Sequence, residues 1–293
     1  MRLFILTALT MIAFAANSVL NRMAVGQEWI GAFGFSYIRL LSGAGTLALI
    51  LIARLALRRD VVWPQGWPVL GGVGGLLLYL LGFSTAYRQL DAGTGALILF
   101  GAVQVTMFAG AVFAREALPR ARWLGAGLAF GGLLFLVAPS LRAAQFGFSA
   151  VAMALAGLGW GVYSLAGQRQ RDALTATAVN FVLAVPVMVL LYEGPLGWID
   201  FMLINEPPVT LGTVLAVLSG AVTSGLGYAL WYSLLPSLGA ARAAVAQLTV
   251  PLIAAAGGAM LIGEVPGWRF AVASVLILGG VALASRQSGL TSR

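Results

Sequence analysis

The chain has 293 residues, 60% hydrophobic and only 9% charged. A soluble domain carries about 25% charged residues, so the composition is that of an integral membrane protein. Seventeen bases stand against nine acids for a formal net charge of +8, and the chain has no His and no Cys. All the bases are Arg. These absences exclude disulfides and thiolate or imidazole metal sites. They also exclude imidazole bases and Schiff-base or P-loop lysines. No cofactor and no metal is expected. The arginines fall singly or in pairs between apolar runs, which is not a nucleic-acid footprint.

A spanning helix needs about 20 mainly apolar residues. In chain order the runs lie near 3–23, 30–53, 68–88, 92–113, 122–140, 148–168, 174–192, 209–234, 238–262 and 267–286. The fold class expected is therefore all-α integral membrane, with ten transmembrane helices. The longest connectors, 54–66 and 193–208, are too short to fold alone. Residues 1–17 have the outline of a signal peptide, with Arg2, an apolar stretch and Ala13, Phe14, Ala15. The apolar run continues to Met23, however, and is read as the first helix.

Basic residues favour the cytoplasmic side. With the N-terminus inside, Arg2, Arg54, Arg58, Arg59, Arg115, Arg120, Arg122, Arg169, Arg171, Arg242, Arg286 and Arg293 are cytoplasmic. Only Arg22, Arg88, Arg142 and Arg269 are then outside, with Arg39 inside a span. Both termini are expected in the cytoplasm.

A shift of 148 residues lays 90–136 over 238–284 without a gap, with nine identities in 47 positions. Chance in so apolar a chain gives roughly half that. The register of rare letters says more: Glu116 and Glu264 each close a helix, and Gly131, Gly132 and Gly279, Gly280 follow 15 residues later. A shorter echo pairs Phe14, Ala15, Ala16, Asn17, Ser18 with Trp160, Gly161, Val162, Tyr163, Ser164. Two units of five helices follow, 1–141 and 147–287. Five is odd, so the second unit enters the membrane inverted. Inverted repeats around a central cavity are the architecture of alternating-access carriers.

Three segments carry a family resemblance: Phe113, Ala114, Arg115, Glu116, Ala117, Leu118 with Gly131, Gly132; Ile262, Gly263, Glu264, Val265, Pro266 with Gly279, Gly280; and Leu230, Trp231, Tyr232, Ser233, Leu234. They resemble the EamA branch of the drug/metabolite transporter superfamily, within it most closely the YddG-type exporters of aromatic amino acids. The resemblance covers essentially the whole chain. It implies a ten-helix basket exporting small metabolites across a bacterial inner membrane, and no enzymatic activity.

Intramembrane polar groups are costly and mark candidate sites, although Ser, Thr and Asn also glue helices together. On the first helix Asn17 and Asn21 lie four apart beside Ser18, facing either a cavity or another helix. Arg39 sits about ten residues into the second span. Its position favours snorkelling to the outer end. The other reading, a fork for a substrate carboxylate, keeps it among the candidates. The third helix carries Tyr79 and Phe83 on one face, the fourth Phe100 and Gln104. In the resembled exporters a tyrosine and a tryptophan occupy that part of the fourth helix, and here Phe100 and Ala102 stand in the matching places.

On the sixth helix Trp160, Tyr163 and Ser164 share a face, and a tryptophan recurs at this place in the resembled exporters. The eighth carries Ser224, Tyr228 and Trp231. The ninth carries Gln247 ahead of Pro251, where a mid-span kink is either structural or a gate. Gly71, Gly72, Gly74 and Gly75, the pair Gly127 and Gly131, and the pair Gly157 and Gly161 have the spacing of close helix packing. Glu116 and Glu264 read as structural.

No Asp or Glu falls in the middle of a span, and proton relays usually need such a carboxylate or a His. The expectation is transport of aromatic or hydrophobic amino acids down their own gradient by a monomer embedded in the bilayer. A multidrug or lipid-precursor exporter is the alternative, ahead of a channel or an intramembrane enzyme.

Overall fold

The computed structural model describes residues 1–115, 119–138, 144–168, 170–203 and 211–286. Glu116, Arg142 and Arg169 lie outside them. The described residues are helical, with no strands. In chain order the α-helices are α1 (Arg2–Gly26), α2 (Ala32–Ala56), α3 (Trp67–Ala86), α4 (Ala92–Phe113), α5 (Arg120–Val137), α6 (Ala144–Gln168), α7 (Ala173–Leu191), α8 (Gly197–Leu203), α9 (Leu211–Leu218), α10 (Gly227–Gln247), α11 (Val250–Ile262) and α12 (Trp268–Arg286). A π-helical turn, Tyr192–Leu196, joins α7 to α8, and a π-helical segment, Ser219–Leu226, joins α9 to α10. Among the described residues seven helices are long and apolar enough to cross a membrane, and Val250–Ile262 and Trp268–Leu283 are shorter apolar helices. The chain is a multi-pass membrane protein.

The helix ends follow local chemistry. Pro68 and Pro251 sit in the first turns of α3 and α11, where their missing N–H is no loss. Asp172 caps α7 by accepting from the Thr175 N–H at 3.1 Å. Gly263, at φ 76°, ends α11, and the Glu264 N–H returns to the Gly258 carbonyl at 3.2 Å. Two N-termini are served from far along the chain. The Asp200 carboxylate accepts from the Gly34 N–H in the first turn of α2. Glu264 Oε2 accepts from the Ala92 N–H of α4 at 2.8 Å.

At Pro251 the expected mid-span kink takes the form of a break, which divides the run expected over 238–262. The backbone stays helical through 227–247, past the expected connector near Pro236, and breaks at 248–249, just ahead of Pro251. Pro251 therefore opens a helix, which suits its fixed φ, and frees no carbonyl inside one. The prolines that do lie inside α-helices among the described residues are Pro186 in α7 and Pro236 in α10.

Close packing falls on part of the glycine pattern. α3 and α6 cross at Gly75 and Gly159: a Cβ on Gly75 would stand 2.7 Å from the Gly159 carbonyl oxygen, and one on Gly159 would stand 2.6 Å from that of Gly75. Gly72 lies against Asn180, Gly157 against Leu99 and Ala102, and Gly161 against Thr106. The expectation fails at Gly74, Gly127 and Gly131, where a Cβ would meet nothing within 4 Å. α5 turns its neighbouring glycine to α12 instead: a Cβ on Gly132 would meet Leu276 at 2.8 Å and Ile277 at 2.9 Å. Reciprocally, one on Gly280 would meet Ala129 at 2.8 Å and Leu128 at 3.1 Å. A glycine pair spaced on one face cannot say from sequence alone which of its neighbours points at a partner.

Candidate substrate site

Aromatic side chains from five helices converge on Trp160. α3 brings Tyr79, with ring centroids 5.0 Å apart, and α10 brings Tyr228 at 5.1 Å, so the indole lies between two phenols at nearly equal distance. Tyr163, one turn along α6, stacks on Trp160 at 5.3 Å, and Phe14 of α1 meets it edge-on at 6.5 Å. Phe14 also packs edge-on against Tyr228 and Trp231, both at 5.7 Å. Phe83 extends the group from Tyr79 at 5.1 Å, and Phe181 of α7 closes on Tyr228 at 5.9 Å. The rings lie in contact with one another, and all but the half-buried Trp160 are buried. Edge-to-face and offset contacts are the favoured geometry for such rings.

Arg39 adjoins this nest. About 10 Å along the axis from the start of α2, it does not snorkel: it is 0% exposed. Its Nε donates to Ser224 Oγ at 3.0 Å and its Nη2 to the Tyr79 hydroxyl at 2.9 Å. The guanidinium carbon stands 5.1 Å from the Tyr79 ring centroid and 5.0 Å from that of Phe83. The π-helical segment makes this approach possible. Gly220 lies directly on α2, where a Cβ would run into the Arg39 carbonyl oxygen and Ser42 Oγ. Extra-residue turns of this kind recur at functional sites.

Asn17 links α1 to the same segment, its carbonyl oxygen accepting from Ser219 Oγ at 2.8 Å and from Thr223 Oγ1. Of the residues singled out in the sequence, Arg39, Tyr79, Phe83, Trp160, Tyr163, Ser224 and Tyr228 thus come together, with Asn17 beside them. Ser164 spends its hydroxyl on the Trp160 carbonyl at 2.7 Å. Phe100 is buried elsewhere in the core, and Gln104 and Gln247 are half-buried. Among the described residues no ring contact or hydrogen bond ties these three to the nest. Sequence reasoning missed Phe14 and Phe181. The echo that lays Phe14 over Trp160 was the available signal for the first.

Two clusters of charged groups away from the nest form ion pairs. At the end of α1, Arg22 Nε donates to Glu264 Oε1 at 2.8 Å, and its Nη1 donates to the carbonyls of Tyr87 and Arg88 at 3.2 and 3.1 Å. Burial and the nearby Glu264 charge raise the Asp91 carboxyl above its usual range, against the pull of Arg22. At the other end of the helices, Arg54 Nη2 stands 3.0 Å from Asp172 Oδ2. Burial opposes ionisation of Asp172, but the bonds from Arg54 and Thr175 prevail and hold it below the usual range.

Polar groups set among aromatic rings inside apolar membrane helices mark a candidate functional pathway. Residues 147–286 match the EamA-like transporter family. The chain is 44% identical to an uncharacterized protein of Pseudomonas aeruginosa over 96% of its own length and 94% of that protein. It is 28% identical to a probable amino-acid metabolite efflux pump of Salmonella typhimurium, over 66% of this chain and 67% of that one. It is 25% identical to a probable terminal-alkyne amino-acid exporter of Streptantibioticus cattleyicolor, over 96% and 92%. A crystal structure of a 22% identical protein superposes with a TM-score of 0.64 over 96% of this chain and 98% of the other, a likeness of fold. The chain belongs to the EamA-like transporter family.

Proposed function

We propose that this protein exports aromatic or other hydrophobic amino acids across a bacterial inner membrane by alternating access, driven by the substrate's own gradient. The observation that carries the reading is the aromatic nest around Trp160, to which α1, α3, α6, α7 and α10 all contribute. Rings in mutual contact present an apolar, polarisable surface that a hydrophobic side chain would enter by parting them. Two relatives carry names that speak of amino-acid efflux or export.

The transport cycle would use two inverted five-helix units, 1–141 and 147–287, with both termini in the cytoplasm. Three features support this arrangement. The neighbours of each helix come in swapped pairs: α3 on α6 with α10 on α1, α4 on α6 with α11 on α1, and α2 on the π-helical segment with α7 on α3. The 148-residue shift carries the contact of Gly132 with Leu276 and Ile277 onto that of Gly280 with Leu128 and Ala129. The short echo brings its matched residues Phe14 and Trp160 into contact. The break ahead of Pro251 is where α11 would pivot as a gate.

Counterflow in proteoliposomes, with phenylalanine, leucine and methionine set against lipophilic cationic dyes, tests the reading. Saturable exchange of the amino acids supports it. Exchange of the dyes alone makes the protein a multidrug exporter, and flux without saturation or exchange makes it a channel.

A further inference from the structure

A guanidinium with no exposure to solvent, inside a membrane span, demands a counter-charge. Among the described residues, the groups that Arg39 contacts are neutral: the hydroxyls of Ser224 and Tyr79 and the faces of Tyr79 and Phe83. Among the described residues, none of α1 to α7 and α9 to α12 contains an Asp or a Glu. The Arg22, Arg54 and Asp172 charges each have an ionic partner, whereas Nη1 of Arg39 is buried without a hydrogen bond. Arg39 is thus held by two side chains, one on the π-helical segment and one on the aromatic nest, with one face of its fork uncommitted.

The geometry points to Arg39 as the receptor for a substrate carboxylate, which makes the cargo a carboxylate-bearing aromatic or aliphatic molecule and excludes cationic amphiphiles. This rests on the proposed export function and narrows it. A carboxylate accepting from Nη1 and Nη2 would draw Nη2 from the Tyr79 hydroxyl, and it would lie beside the ring where Tyr79 meets Trp160. The hydrophobic side chain would then point into the nest. A cation entering the same place would meet an uncompensated positive charge at close range in a medium of low polarity. The same side chain therefore accounts for attraction of one ligand class and rejection of the other.

The test uses the unmodified protein first, so that no variant has to fold. Purified protein in detergent is titrated with L-phenylalanine, 3-phenylpropionate, L-phenylalaninamide and phenethylamine, read by intrinsic tryptophan fluorescence. The same four compounds compete against radiolabelled phenylalanine flux in proteoliposomes. The inference expects phenylalanine and 3-phenylpropionate to bind and compete, and the two compounds without a carboxylate to be weaker by about 30-fold or more. Equal binding of phenylalaninamide or phenethylamine overturns the carboxylate receptor while leaving amino-acid export standing. Absence of phenylalanine, leucine and methionine flux overturns the export reading itself. Arg39→Lys and Arg39→Gln then locate the effect. In variants that purify with the wild-type size-exclusion profile, the discrimination should fall at least tenfold, and its retention would overturn the assignment to Arg39.

Discussion

Phe14 of α1 and Trp160 of α6 meet edge to face with ring centroids 6.5 Å apart, and the two stand at the same place in the short sequence echo. Contact between matched positions is what a pseudo-two-fold axis running between α1 and α6 would produce. The same pair lies at the heart of the aromatic nest. We expect Trp160→Ala or Tyr79→Ala to lower transport by about tenfold or more, the equivalent of roughly 1.4 kcal/mol, at unchanged membrane expression. Flux into vesicles normalised to immunoblot signal checks this, and unchanged flux in both variants would discredit the site.

Glycines that face neighbours and glycines that face nothing separate packing from pattern. Gly132→Leu and Gly280→Leu should each destabilise the α5–α12 crossing by about 1–3 kcal/mol. Gly127→Ala and Gly131→Ala, with no neighbour within 4 Å of the added carbon, should be neutral or stabilising by up to about 1 kcal/mol. Thermal unfolding in detergent distinguishes the two sets.

The Arg22 to Glu264 pair joins α1 to the segment after α11, and its side chains are 19% and 10% exposed. Glu264→Gln weakens that bond and the cap on α4 together, at a cost of about 1–3 kcal/mol. A double-mutant cycle with Arg22→Gln should return a coupling of about 0.5–3 kcal/mol. Additive effects would mean that the two residues act independently.

Two aspartates should pull the acid stability of the protein in opposite directions. Asp172 titrates below its unfolded value, because the bonds from Arg54 and Thr175 outweigh burial. Its contribution is present above the unfolded pKa of about 3.9 and is lost as pH falls through the lower folded value. Asp91 titrates above its unfolded value, chiefly through burial and then through Glu264. Its folded form holds the proton more tightly, so its contribution favours the fold at low pH and is lost as pH rises through the raised value. Asp172→Asn should lower the unfolding temperature at neutral pH and flatten the acid limb, and Asp91→Asn should raise it. Scans from about pH 3 to about pH 7 read both.

Abolishing the pH gradient across proteoliposomes with a protonophore should leave substrate flux within about twofold, since no span carries a mid-membrane carboxylate or His able to relay protons. Flux that collapses with the gradient would require an obligatory proton step and would contradict transport driven by substrate alone.

The apolar runs fixed most helices to within a few residues, because a 20-residue hydrophobic stretch has few other uses. The exception, between the eighth and ninth runs, arises because Pro236 reads as a boundary by composition, whereas the backbone stays helical past it. The aromatic site was legible where one helix face held several rings, as with Trp160 and Tyr163. It was hidden where a single ring, such as Phe181, reaches the nest from a helix with no other aromatic neighbour there. Arg39 shows the limit most clearly. Reach along the chain favoured the membrane surface, but Ser224 and Tyr79, distant in sequence by 185 and 40 residues, hold its head inside.

The caps on α2 and α4 come from Asp200 and Glu264, residues translated long after the helices they serve. While the ribosome is still copying the later part of the message, both helices sit in the lipid with exposed amide hydrogens at one end. The early segment is therefore a poor substrate for quality control to approve on its own, and the final shape is locked only once the last quarter of the polypeptide has been inserted.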